Sequence, residues 1–144
     1  YSEGYYHHGE MYEDKDATVD PHVRPRILGG RDISARDYLA ALFKRRNDQR
    51  EFLNGMRGYT VFVTPTAAYP AIPLDQVDQK TTPARFTRAT NYLGLCGLSV
   101  PMGLTSSGLP GGLQILARQN EEAKAIRVGA SFEAAQGGIG HPDL

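Results

Sequence analysis

Two adjacent serines, Ser106 and Ser107, come nearest to a nucleophile motif in this sequence. A serine nucleophile needs an activating base and hydrogen-bond donors for the oxyanion that develops during the reaction. No lysine or preceding glycine-rich run supports this pair, and no Gly-x-Ser-x-Gly sequence occurs in the chain. The combination of serines with Gly108 is typical of a hairpin turn, so we expect a backbone role for both residues.

Three other groups of residues also fail as sites of chemistry. His7 and His8 precede Glu10, but adjacent histidines on a helix point in different directions and no third metal ligand is anchored. Cys96 is the one cysteine, and we expect it to be a buried free thiol. The glycine-rich residues 108–112 lack the Lys-Ser/Thr pair of a phosphate loop. The sequence therefore predicts no catalytic residue, no metal and no cofactor.

Arg85 and Arg88 lie three residues apart, with Phe86 between them, so on a helix they share nearly one face. Two guanidinium groups in that arrangement could hold a substrate carboxylate, or they could stabilise acidic neighbours. The second, structural role is slightly favoured, and both interpretations remain open at this point.

The elements that would position such residues follow from apolar periodicity. Residues 35–56 have apolar side chains at helical spacing, and Ser34 with Asp37 resembles a capping box at the start of that helix. Residues 59–64, YTVFVT, are aromatic and β-branched, which predicts a strand buried on both faces. Further helical segments are expected within residues 3–14, around 21–28 and at 83–93.

The last third of the chain predicts a hairpin followed by a helix. Residues 98–104 and 111–117 form the two strands, with an irregular point at Pro101. Asn120 is expected to cap a helix that runs to about residue 135. We interpret residues 1–144 as part of a single domain, of which 1–57 are mainly helical and 58–144 combine strands and helices.

Charge and composition limit the possible partners. Sixteen basic residues balance sixteen acidic ones, so nothing favours nucleic acid or an anionic membrane surface. The apolar runs are far shorter than the roughly 18 residues that a membrane-spanning helix requires. A single cysteine is compatible with the reducing cytoplasm, where we expect the protein to reside.

Several segments together resemble the C-terminal region of the amidase signature family. They are residues 86–101, FTRATNYLGLCGLSVP, residues 108–114, GLPGGLQ, and residues 61–66, VFVTPT. Their order and spacing match the family, as does the long helix before them, so the resemblance covers roughly residues 3–136. It implies the C-terminal part of an α/β/α enzyme with a mixed sheet, in which a long helix is followed by a strand, a hairpin and a final helix.

The same resemblance implies hydrolysis or transfer at carboxamide C–N bonds, with a small-molecule amide as substrate of the intact enzyme. The family uses two serines and a lysine, which lie N-terminal to the region matched here. No catalytic residue is therefore transferred to this chain, and the isolated chain is expected to be inactive. The resemblance does imply a substrate pocket, whose lining here would be Thr64, Pro65, Thr66, Arg85, Phe86, Arg88, Asn91 and Tyr92.

Some positions depart from the family pattern. Cys96 replaces a proline that is usual there, and Gly111 replaces a branched apolar residue. The glutamine-using components of tRNA-dependent amidotransferases have an acidic residue where this chain has residues 83–85, PAR. That difference favours a free-standing amidase, and Arg85 suggests an acidic group on the substrate.

Two alternatives remain: part of the glutamine-using component of a tRNA-dependent amidotransferase, or a non-catalytic interaction module. Exposed strand edges and apolar surface also predict self-association, unless the N-terminal part of the same protein covers them.

Overall fold

The computed structural model describes residues 1–78, 81, 83–137 and 140. Its helices and strands are α1 (Ser2–Glu13), α2 (Arg24–Leu28), α3 (Ala35–Gly55), β1 (Phe62–Pro65), α4 (Arg88–Leu93), β2 (Cys96–Leu104), β3 (Pro110–Ala117) and α5 (Glu122–Gln136). A short 3-10 helix, Leu74–Gln76, lies between β1 and α4. The α/β class and the predicted order of long helix, strand, hairpin and final helix are confirmed. No helix in these ranges is long and apolar enough to cross a membrane.

The chain divides into two compact units, residues 1–46 and 47–144. In the first unit, Arg24 fastens the segment after α1 to the start of α2. Its guanidinium donates hydrogen bonds to the carbonyl oxygens of Tyr12, Asp14 and Ala17 at 2.6, 2.8 and 2.9 Å. The Tyr12 carbonyl lies in the last turn of α1 and has no partner within the helix, whereas the carbonyls of Asp14 and Ala17 lie beyond the end of the helix. The short connection is thereby fixed.

The start of α3 follows the predicted capping pattern. The backbone N–H of Asp37 donates to the Ser34 hydroxyl at 3.1 Å, and that hydroxyl donates to the Asp37 carboxylate at 2.6 Å. In the first half of this helix the predicted apolar face is only partly covered, because Tyr38 and Leu42 are half-buried but Leu39 and Phe43 are 51% and 59% exposed. At the other end the prediction holds, and Met56 is buried.

The second unit is built on a three-stranded sheet in the order β1-β3-β2. Both pairings are antiparallel, so the described strands do not include the parallel pairing that a mixed sheet would add. In the register, Thr64 lies opposite Gln114, and Gln114 lies opposite Ser99 on its other side. Cross-strand partners share a face, so these three side chains project from the same side of the sheet.

The opposite side of the sheet packs on α5. Val100, Ile115, Ala117 and Ala125 form the buried core there, and Phe132 packs against them. Gly129 lets the helix approach closely, since a Cβ on this residue would lie only 2.8 Å from Leu98. A larger residue would push α5 off the sheet. Apolar contact with α5 is therefore confined to one face of the sheet, and the opposite face of the sheet remains available for polar groups.

Two details of the predicted elements are wrong. The strand expected to be buried on both faces lies at the edge of the described sheet, and Phe62 and Val63 are 46% and 49% exposed.

Asn120 does not cap α5, because the helix begins at Glu122 with Glu121 at its N-cap. Asn120 instead has a left-handed backbone with φ +62°. Asparagine tolerates that conformation well, so it serves the preceding turn rather than the helix.

The hairpin between β2 and β3 has the predicted irregularity and turn. The pairing register shifts between Pro101 and Gly103, which is a β-bulge immediately after the proline. The helix predicted at 83–93 is shorter than expected, since only Arg88–Leu93 are helical and turns precede them.

Candidate functional site

Gln114 is the centre of the polar face of the sheet. It is only 4% exposed, so this polar side chain is buried between the apolar residues Leu113 and Ile115 of the same strand. Its side-chain amide donates hydrogen bonds to the Thr64 hydroxyl at 3.0 Å and to the Phe86 carbonyl oxygen at 3.4 Å. A buried amide needs such partners to offset its lost hydration. Gln114 thereby joins the end of β1 to the segment before α4.

A second polar contact lies beside it. The hydroxyl oxygens of Thr66 and Ser99 are 2.6 Å apart, and either can be the donor. The backbone N–H of Thr66 also donates to the Gly112 carbonyl oxygen at 2.7 Å, which continues the β1–β3 pairing by one residue. A Cβ on Gly112 would lie 2.8 Å from the Thr66 hydroxyl oxygen and 3.0 Å from that of Ser99. The absence of a side chain at Gly112 is what leaves room for the hydroxyl pair.

We call Thr64, Thr66, Ser99 and Gln114 the polar cluster. Hydroxyl and amide groups are uncharged at neutral pH, and each can donate and accept hydrogen bonds. None of the four side chains is a base that would deprotonate a serine hydroxyl. The polar cluster is therefore suited to holding a polar group in a defined orientation, and not to proton abstraction.

The structure brings some of the predicted pocket residues together. Thr64 and Phe86 meet through Gln114, and Thr66 lies two residues beyond Thr64 with Pro65 between them. The guanidinium of Arg85 lies 6.0 Å from the centre of the Phe86 ring, within the range of a cation–π contact. Arg85 is exposed, as is Arg88 on α4.

Tyr92 is held to α3. Its hydroxyl donates to the Asp48 carboxylate at 2.6 Å, and the Gln49 side chain donates to the Tyr92 carbonyl oxygen at 3.4 Å. These bonds fix the end of α4, which terminates at Gly94 in a left-handed conformation. Asn91 is exposed on the same helix. A lining role for Asn91 and Tyr92 stays a prediction.

Sequence reasoning missed Ser99, Gly112 and Gln114 as members of the site. Gln114 gave one signal, since a lone amide within the apolar run LQIL of a strand requires buried hydrogen-bond partners. Ser99 and Gly112 could be assigned to the site only once the strand register was known, because the register places them beside Thr66 and the sequence alone does not specify it.

The serine, cysteine and histidine residues first considered as sites of chemistry make contacts that fit structural roles or lie exposed at the surface. Ser107 and Thr105 have hydroxyl oxygens 2.9 Å apart within the hairpin turn, where Gly108 has φ +76°. The Cys96 thiol donates to the Arg118 carbonyl oxygen at 2.9 Å, and the residue is half-buried. His7 and His8 are exposed, and their ring centres are 6.2 Å apart. In residues 1–78, 81, 83–137 and 140, no three His, Cys, Asp or Glu side chains converge as metal ligands.

Comparison with known proteins identifies the family of this chain. The family profile described as Amidase matches residues 7–126. The chain therefore belongs to the amidase family, and the resemblance in its sequence segments is confirmed.

Two curated relatives and one solved structure illustrate the similarity. A glutamyl-tRNA(Gln) amidotransferase component from Acidobacterium capsulatum is 34% identical over 136 residues, which cover 88% of this chain and 29% of that protein. Fatty acid amide hydrolase of Arabidopsis thaliana is 38% identical over 128 residues, covering 83% of this chain and 21% of that protein. A crystal structure of an amidase superposes with a TM-score of 0.79 at 25% identity, covering 92% of this chain and 32% of that one. The chain thus spans less than a third of each.

Proposed function

We propose that this chain is the C-terminal portion of an amidase that hydrolyses carboxamide C–N bonds to a carboxylate and ammonia or an amine. In this proposal the chain supplies part of the substrate-binding surface and no nucleophile. The observation that carries it is the polar cluster, in which neutral hydroxyl and amide groups converge on one face of the sheet. Such groups match the donor and acceptor of an uncharged carboxamide.

We further propose that the isolated chain is inactive. The two serines and the lysine of the family's chemistry would be supplied by the part of the protein that this chain does not include. Two observations support the proposal. The first is that the chain spans only 29% of an amidotransferase relative and 21% of an amide hydrolase relative. The second is that the Ser99 hydroxyl lies against the hydroxyl of Thr66, which is no base for activating a serine.

A second candidate is the glutamine-using component of a tRNA-dependent amidotransferase, which the similarity to the Acidobacterium capsulatum protein supports. The Arg85 region argues against it, because the family resemblance implies an acidic residue there in such components. Here Arg85 stacks near the Phe86 ring on the segment that Gln114 holds. We therefore favour the free-standing amidase, active in the cytoplasm, over both the amidotransferase component and a non-catalytic interaction module.

The test is ammonia release from a panel of simple amides, measured for the 144-residue chain and for the full-length gene product. The proposal expects release by the full-length product without tRNA, and none by the chain alone. Turnover by the chain alone would refute the proposed division of roles. Release only in the presence of a charged tRNA and partner proteins would support the amidotransferase instead.

We also propose that the isolated chain self-associates. Phe62 and Val63 are about half exposed on β1, whose outer edge is unpaired in the described sheet. An apolar edge strand of this kind is a template for pairing with another chain. Sedimentation velocity over a hundredfold range of concentration is expected to reveal species larger than 15.8 kDa. A monomer throughout that range would remove the proposal.

A further inference from the structure

A groove opens beside the polar cluster, at the end of the sheet where β1 stops and β3 begins. Its volume is about 420 Å³, and its lining includes Pro65, Thr66, Tyr69, Ser99, Met102 and Gly112. Small-ligand sites commonly have volumes of about 300–1,000 Å³ with a few polar groups in a mainly apolar wall. We propose that this groove binds an uncharged amide with a compact apolar substituent, such as a small aromatic ring.

The hydroxyl pair at Thr66 and Ser99 supplies the polar contact. One hydroxyl donates to the other across 2.6 Å, so the accepting hydroxyl keeps its own hydrogen for another partner. That hydrogen can be donated to a ligand carbonyl oxygen, and the remaining lone pairs can accept from a ligand N–H. A carboxamide offers both groups within one planar unit. That the bound group is an amide rests on the proposed function, whereas its lack of charge and its apolar part rest on the groove alone.

The side chains that line the groove indicate which substituent the bound amide would carry. Tyr69 and Met102 are both partly exposed there, and prolines at 65, 70 and 110 line it further. Aromatic, thioether and proline carbons favour contact with an apolar surface, and methionine adapts to its shape. A flat ring or a short branched chain fits a groove of this size better than a long polar substituent.

The described lining residues include no carboxylate, ammonium, guanidinium or imidazole group. A charged ligand would lose hydration on entering the groove without gaining a partner of opposite charge. This inference differs from the expectation, based on Arg85, of an acidic group on the substrate. Arg85 is not among the groove residues.

Gly112 gives access to the hydroxyl pair. A Cβ at this position would lie 2.8 Å from the Thr66 hydroxyl oxygen, so a methyl group would displace or cover the pair. Gly55, at the end of α3, offers a control because it is not among the groove residues. A Cβ there would meet no atom within 4 Å.

The experiment uses ¹⁵N-labelled chain, at a concentration below the onset of self-association, titrated with benzamide, benzoate and benzamidine. These compounds have nearly the same shape and differ in charge. The inference expects saturable amide shifts centred on Thr66, Ser99 and Gly112 with benzamide. Benzoate and protonated benzamidine are expected to bind at least about tenfold more weakly, because burial of an unpaired charge is costly. No saturable shift with benzamide, or equal affinity for the three compounds, would overturn the inference.

Substitutions distinguish benzamide binding in the groove from benzamide binding elsewhere on the chain. Gly112→Ala is expected to weaken benzamide binding by about tenfold or more, and Gly55→Ala by less than about twofold. Should Gly112→Ala fail to give a folded spectrum, Thr66→Val decides, since it keeps the side-chain shape and removes one hydroxyl. That loss is expected to weaken binding by roughly two- to tenfold. Unchanged affinity in folded Gly112→Ala, or in Thr66→Val, contradicts the proposed contact.

These results are independent of turnover. Binding without ammonia release by the full-length gene product would leave the groove in place and remove the amidase proposal. Ammonia release without benzamide binding in the groove would support the amidase proposal and overturn the inference about the groove.

Discussion

The side-chain amide of Gln114 donates a 3.0 Å hydrogen bond to the hydroxyl of Thr64, although the two residues are 50 positions apart in sequence. The same amide reaches the Phe86 carbonyl oxygen. A single buried side chain thus connects a strand end with the segment that leads into α4. The chain belongs to the amidase family, and in the function proposed above this connection would support the substrate-binding surface.

Replacing Gln114 with methionine tests that connection. The change keeps the side-chain length but leaves the Thr64 hydroxyl and the Phe86 carbonyl without this donor. Unpaired buried polar groups cost about 1–3 kcal/mol, so the free energy of unfolding in urea is expected to fall by that amount. The control is Gln119→Met, at an exposed position, which is expected to stay within about 0.5 kcal/mol. Equal effects of the two changes would mean that the Gln114 hydrogen bonds contribute nothing specific.

Two glycines should respond to alanine with opposite signs. Gly94 ends α4 with φ +65°, and a Cβ there would also lie 3.2 Å from the Gln49 side chain. Gly94→Ala is expected to cost about 1–2 kcal/mol, because a left-handed backbone disfavours a Cβ. Gly55 lies at the end of α3 with open space around it, and Gly55→Ala is expected to stabilise by up to about 1 kcal/mol. Thermal unfolding measures both, and a rise in Tm for Gly94→Ala would contradict the assignment.

The cap at Ser34 predicts a local effect on α3. Ser34→Ala removes the acceptor for the Asp37 N–H and the donor to its carboxylate. Loss of a serine cap costs about 0.5–2 kcal/mol, with fraying of the first helical turn. Hydrogen exchange at residues 35–38 is expected to accelerate. Ser34→Asp restores an acceptor and serves as the control, so exchange as fast as in the alanine variant would argue against capping.

Tyr5 should titrate at unusually high pH. The hydrogen bond that its hydroxyl donates to Glu13 at 2.6 Å raises the pKa of Tyr5 above its ordinary value of 10.0. A folded-state pKa above the unfolded one means that the stabilisation is fully present below about pH 10 and is lost as the pH rises through the folded-state value.

The chain has eight tyrosines, so the Tyr5 titration is obtained as the absorbance difference between the chain and its Tyr5→Phe variant. Glu13→Ala is expected to return the midpoint toward about 10, since it removes the acceptor. A midpoint that does not move in Glu13→Ala would exclude this hydrogen bond as the cause.

The sequence predicted the elements better than it predicted the site. Periodicity and a cap identified α3 to within one residue, and turn residues identified the hairpin, because those signals are local. The polar cluster depends on the register between strands distant in sequence, so neither Ser99 nor Gln114 could be assigned from composition. Asn120 was misassigned because a capping residue and a left-handed turn residue share the same preference for asparagine.

The most direct test asks where the nucleophile lies. The full-length gene product is treated with a fluorophosphonate that modifies activated serines, and the labelled residue is located by peptide mass spectrometry. We expect one labelled serine outside residues 1–144 and no label on the 144-residue chain treated alone. Label on Ser99, Ser106 or Ser107, in either protein, would contradict the claim that this chain shapes the substrate site without supplying the nucleophile.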